Sequence, residues 1–292
     1  MGYSARYHVA SLAAVFIALA VGILIGAAFG ADVLEDVGQD LEESLKGDLD
    51  DANAQIAALE DELSDQQRFA ETVYPALAAD TLPGRSLALV SFGNRPDAIR
   101  ENVLAALAPT GAEVTQLAVV REPPDVAALA ELGGGPSASR AERERDQAAA
   151  AVNRAGAGLV EGNAIYDRSR EALLATFSGS VDPVDGVIVA RERPDLEGPE
   201  EAASELLETE FIDGLLAGGV PVVGVERSGA DPSSIGFFDS LGLTTVDNLD
   251  EVAGRVALVY ALRGAQGNFG TGEEADELVP SVLRRPGATT AP

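Results

Sequence analysis

Hydrophobic positions fall into three different rhythms along this chain. From Val9 to Ala31 they are unbroken, VASLAAVFIALAVGILIGAAFGA, with no charge, proline or amide. As a helix this stretch would run about 35 Å at roughly 1.5 Å per residue, enough to cross a hydrocarbon core of about 30 Å with some tilt. Leu45, Leu49, Ala52, Ile56, Leu59 and Leu63 then recur at alternating steps of four and three, the a/d seam of a coiled coil. Leu34, Val37 and Leu41 continue it less regularly. Beyond Pro75 and Pro83-Gly84, which close this helical segment, short solid apolar runs alternate with amphipathic stretches.

The solid runs predict buried strands at Ser86–Phe92, Glu113–Val120, Asp185–Ala190, Val220–Val225 and Leu243–Val246. Between them lie predicted helices at Asp97–Leu107, Val126–Leu132, Ala141–Ala155, Ala164–Phe177, Glu200–Ala217 and Leu249–Leu262. Pro96 stands near the start of the first. Gly218-Gly219 stops the fifth, and Asn248 with Glu251 predicts a capping pair for the last. Strands separated by helices mean a parallel sheet covered on both faces. The expected fold class is α/β: a transmembrane helix over residues 1–31, an acidic coiled-coil stalk over 32–80, a doubly wound, Rossmann-like parallel sheet of about five strands over 81–270, and a flexible tail over 271–292.

Charge refines the picture. Thirteen acids stand against Lys46 between Asp32 and Asp65, and the whole chain carries a net −28. So acidic a balance excludes nucleic acid as a partner, because neutralising phosphate takes Lys and Arg. It also opposes electrostatic adhesion to anionic lipid. Arg6, aided by His8, precedes the apolar stretch, and Lys46 is the first basic residue after it. The positive-inside bias then puts the N-terminus in the cytoplasm and residues 32–292 outside, as a single-pass membrane protein in contact with the lipid bilayer. A cleaved signal peptide is the competing reading, but its apolar core would be shorter, about 7–15 residues.

Within the apolar stretch Ala14, Ala18, Gly22, Gly26 and Gly30 recur every four residues and line one side of a helix. Small residues let two helices approach closely in lipid, although glycine and alanine are also common in membrane helices. Seam and stripe together predict a homo-oligomer through anchor and stalk, against the repulsion of the stalk's own acids.

Candidate chemistry is sparse. There is no cysteine, and Met1 and His8 are the only methionine and histidine. No disulfide, thiol nucleophile or zinc–thiolate site is possible, and a Ser-His-Asp set has no histidine in the domain. GxGxxG and GxSxG are both absent. Glu200-Glu201 open a helix, where the dipole favours acids in any case. No catalytic constellation, cofactor or enzyme activity is expected.

One cluster of residues falls where open α/β sheets bind ligands, beyond the carboxyl ends of the strands. Arg121, Arg191 and Arg227 end three predicted strands, Arg193 follows closely, and Asn94 and Asn248 lie at the ends of two others. Together they predict a polar rim able to hold an anion through forked guanidinium donors. Each strand-end arginine also adjoins an acid, Glu122, Glu192 or Glu226, so local pairing at a solvated edge accounts for them equally well.

One early stretch and a group of late ones are family-specific. YHVASLAAVFIALAVGILIGAAFG at residues 7–30, Thr245–Asp250 with Ala253–Leu262, and the later Gly267–Gly270 and Pro280 resemble the mycobacterial copper transport protein B family. The resemblance covers nearly the whole chain. It implies copper homeostasis in actinobacteria, with the protein acting in the envelope in copper transport or efflux, and an outer-membrane location. Copper ions would then be a partner as transported cargo, without direct coordination by this chain.

Overall fold

A computed structural model describes residues 3–133, 140–192 and 196–281. The chain divides into two compact units, residues 1–68 and 69–292. The first unit is helical. Helix α1 (Tyr3–Ala78) runs 76 residues, and its last turns belong to the second unit. Its apolar span, Tyr7–Ala27, is 21 residues long and exposed throughout. Leu45, Leu49, Ile56, Leu59 and Leu63 are each more than half exposed.

Pro75 lies inside α1, so the helix continues past the expected stop to Ala78. What holds it there is tertiary. Tyr74 is buried and its hydroxyl donates to the Ala106 carbonyl at 2.5 Å. Arg255 grips Glu71 with Nη1 at 3.0 Å. Burial drives the Tyr74 phenol pKa up, against a smaller downward pull from Arg255.

The second unit is built on a seven-stranded sheet. Its elements are β1 (Ser86–Gly93), α2 (Asp97–Leu107), β2 (Glu113–Val120), α3 (Val126–Gly133), α4 (Arg140–Glu161), α5 (Ala164–Leu173), β3 (Leu174–Gly179), β4 (Gly186–Glu192), α6 (Pro199–Ala217), β5 (Val222–Val225), α7 (Ile235–Ser240), β6 (Thr244–Val246), α8 (Val252–Ala261) and β7 (Asn268–Phe269). The strand order is β3-β2-β1-β4-β5-β6-β7. All neighbours pair in parallel except β3, which runs antiparallel to β2. The sheet is therefore mixed, with an antiparallel edge on a parallel body, and has seven strands rather than about five.

Period-two alternation sorts β1 between two cores. Ala88, Val90 and Phe92 face the cluster built with α4, α5 and α6. Leu87 and Leu89 face the one built with α2 and α8. Helices α4 and α6 meet backbone to backbone: a Cβ on Gly156 would stand 2.3 Å from the Phe211 carbonyl oxygen, and one on Gly214 would stand 2.0 Å from that of Asn153.

Several boundaries differ from the expectation. The predicted helix Ala164–Phe177 ends at Leu173, and Leu174–Gly179 is instead edge strand β3, where pairing with β2 overrides helical propensity. The last helix begins at Val252, not Leu249, and its cap position is Glu251 with no side-chain cap bond. Asn248 is not the cap. It is fully buried, and its Nδ2 donates to Glu251 Oε2 at 3.2 Å.

Candidate functional site

Beyond the carboxyl ends of β4 and β5 lies a cleft of about 850 Å3. The end of β4 gives it Arg191 and Glu192, α6 gives Glu201, α2 gives Ile99, and the segment after β5 gives Glu226 through Ser234. A second cleft of about 430 Å3 lies on the other side of that segment, walled by Asp247 and the loop Thr271–Glu274. Both volumes fall in or near the range of small-molecule sites, about 300–1,000 Å3.

Of the rim residues expected from sequence, Arg191 and Arg227 line the larger cleft. Arg121 does not. It lines a separate small pocket with Ser204 and Glu208, and its Nη2 donates to the Leu174 carbonyl at 3.3 Å. Asn94 is exposed, with its backbone N–H donating to the Glu192 carbonyl at 2.8 Å. Asn94 and the buried Asn248 line neither cleft. Arg193 lies outside the described residues. In the span Ala14, Ala18, Gly22 and Gly26 are exposed, and a Cβ on either glycine would meet nothing within 4 Å. Gly30 lies within α1, outside the residues whose surroundings are described.

The two cleft arginines are already engaged. Arg191 sends Nε at 3.0 Å and Nη2 at 2.8 Å to the same Glu208 oxygen. Its guanidinium carbon lies 3.9 Å from the Phe237 ring centroid. The Glu208 side chain is 1% exposed, so this is an ion pair out of water, with the arginine stacked on an aromatic face as well. Arg227 is half exposed and reaches Asp250 at 4.0 Å. Both arginines thus pair with acids distant in sequence rather than with Glu192 and Glu226 beside them.

Carboxylates dominate what remains. Glu226 accepts from the Ser233 hydroxyl at 2.9 Å and from the Ser234 N–H at 2.7 Å. Burial pushes its carboxyl pKa up, the two serine bonds oppose that, and the charges of Asp247 and Glu274 add to it. Glu192 is raised too, by burial first and then by Asp97, with Arg227 pulling the other way. For Asp250 burial is the largest influence and acts upward. The two Ser228 hydrogen bonds, at 2.6 and 2.7 Å, and Arg227 outweigh it and hold Asp250 below its ordinary value.

The wall between β6 and the last loop is a clasp. Asp247 accepts from the Thr271 N–H at 2.9 Å and the Gly272 N–H at 2.8 Å. Gly270, at φ +146°, has no room for a Cβ, which would lie 1.6 Å from Asp247 Oδ1. Thr245 donates to Asn268 Oδ1 at 2.9 Å, and Asn268 donates in turn to Asp239 at 2.9 Å. The two late family-specific stretches are thus one structural unit, paired as β6 and β7.

Sequence reasoning missed Glu208, Phe237, Ser233 and Asp247. Only Asp247 carried a signal, through its place in a family-specific stretch. The donor set does not fit a resident copper centre. Soft Cu(I) takes thiolate, thioether or imidazole, and the chain offers only Met1 and His8. Among the described residues no three His, Cys, Asp or Glu side chains converge where they could hold a metal ion.

The class these features define is a mixed α/β protein with one N-terminal apolar helix that fits single-pass anchoring. The family follows from comparison. The sequence model of the copper transport outer membrane protein family, MctB, matches residues 3–280, and the chain belongs to that family. It is a copper-transport-related protein of the envelope. A search of curated proteins gives no match.

Proposed function

We propose that this chain acts in copper efflux and homeostasis as a membrane-anchored, non-enzymatic envelope protein. The span holds it as a single-pass protein with its N-terminus in the cytoplasm. The α/β head, Rossmann-like in its parallel body, is displayed outside, toward the outer membrane named in the family's description. Copies associate through the helical segment, whose seam reads as a coiled-coil stalk. The observation that carries this reading is the family match over residues 3–280 in a chain that keeps an intact apolar span.

Copper is cargo in this account, not a ligand of the head. A single helix encloses no water-filled path, so any passage needs several copies or a partner. The scarcity of soft donors favours a second reading, an envelope scaffold or interaction protein with no direct copper role. The two separate in a deletion strain grown with added copper. Raised cell copper, reversed by the full chain, supports the first. Unchanged copper content with a defect in envelope integrity supports the second.

A further inference from the structure

The exposed stalk face has a register that names its own partner. Taking Leu49, Ile56 and Leu63 as a positions and Leu45, Ala52 and Leu59 as d positions places Asp48, Gln55 and Glu62 at g. It places Asn53, Glu60 and Gln67 at e. In a parallel, in-register pair each g residue meets the e residue five positions on in the other helix. The contacts are then Asp48 with Asn53 of the second copy, Gln55 with Glu60 of the second copy, and Glu62 with Gln67 of the second copy. No acid faces an acid. Asp50, Asp51, Asp61 and Asp65, which make the stalk so acidic, fall at b, c and f and point away from the seam. Between Leu45 and Gln67 repulsion is thus off the interface, and a chain of the same sequence fits this face.

We infer that the occupant of the stalk seam is a second copy of this chain, parallel and in register. This rests on the oligomeric reading above. Orientation follows from the span: two copies anchored in one membrane by the same N-terminal helix can only run parallel. Burying the five exposed seam side chains removes about 500 Å2 per chain, against about 800 Å2 per partner in a standard interface. The same heptads, counted back along α1, pass Glu42 and Glu35 at a and Gly38 at d, then bring Ile17, Val21 and Leu24 onto a second apolar seam inside the span.

Gly22 and Gly26 of the small-residue stripe belong to another face. In heptad terms Gly22 and Gly26 are b and f positions, outward in the pair. In the same register Ala14 falls at a, so the stripe meets the seam at its N-terminal end.

The absence of cysteine makes the test direct. Single-cysteine variants of the full chain, Leu49→Cys, Ile56→Cys, Val21→Cys, Ala54→Cys and Gly26→Cys, are expressed in membranes and treated with a short thiol-specific crosslinker. Covalent dimer is expected at least several-fold more from Leu49, Ile56 and Val21 than from Ala54 and Gly26. Equal or greater yield from Ala54 or Gly26 overturns the pairing. In the Ile56→Cys background, Gln55→Glu sets an acid against Glu60 of the second copy and is expected to lower the yield about two- to fivefold, while Gln55→Lys raises it. No change in either direction refutes the register. A chain that restores cell copper yet gives no seam crosslink defeats the pairing alone and leaves the copper role standing.

Discussion

Replacing Glu208 with glutamine tests whether Arg191, which lines the larger cleft, is held by a desolvated ion pair. The Glu208 side chain is 1% exposed and Arg191 13%, and two guanidinium nitrogens converge on one oxygen at 2.8 and 3.0 Å. Glutamine keeps one acceptor but removes the charge, leaving Arg191 as an uncompensated cation against Phe237. Breaking one side of a buried pair costs about 3–5 kcal/mol, and the retained acceptor puts Glu208→Gln near the lower end. For a domain of this size about 3 kcal/mol corresponds to a fall in Tm of about 6–12 °C. Scanning calorimetry of the full chain in detergent reads it. The double variant Arg191→Met with Glu208→Met removes both charges and keeps the volume, so it recovers most of the loss. A fall below about 2 °C for the single change, or a double variant no better than the worse single, would refute the reasoning.

The α4–α6 contact gives a second expectation. Gly214→Ala forces a methyl against the Asn153 carbonyl and costs about 1–3 kcal/mol through overpacking, read as a lower urea midpoint with unchanged slope. A third concerns pH. The raised Glu226 carboxyl holds its proton more tightly in the folded state, so its contribution to stability is present below the unfolded value of 4.5 and is lost as pH rises through the folded one. Glu226→Gln therefore gains on the native chain as pH rises through that window, and a stability difference that stays flat from pH 4 to 7 contradicts the assignment. Asp250 acts in the opposite sense: its lowered carboxyl gives stability above 3.8 that is lost as pH falls through its folded value. Asp250→Asn should accordingly cost most at neutral pH and least in acid.

Much of the sheet was legible because its central strands are buried on both faces. Glu113–Val120 was placed to the residue, and Ser86–Phe92 within one residue of β1. The strands that escaped lack that signal. Half-exposed β3 directly continues a helix, and β7 is two residues held by the Asp247 clasp. The cleft arginines were visible as residue types at strand ends, but their partners were not. Arg191 takes Glu208, seventeen residues away on α6, and Arg227 takes Asp250, while the adjacent Glu226 turns to Ser233 and Ser234. For Arg191 and Glu192, both in β4, adjacency misled because neighbouring side chains in a strand point to opposite faces.

The most direct test of the account is on which side of the membrane the head stands. Ser4→Cys and Glu205→Cys, each in the otherwise cysteine-free full chain, are exposed in cells with the cytoplasmic membrane intact to a thiol reagent that cannot cross it, then again after lysis. Labelling of Glu205→Cys before lysis, and of Ser4→Cys only afterwards, is the predicted result. The reverse order, or recovery of the full chain in the aqueous fraction, would contradict an envelope protein anchored by its N-terminal helix.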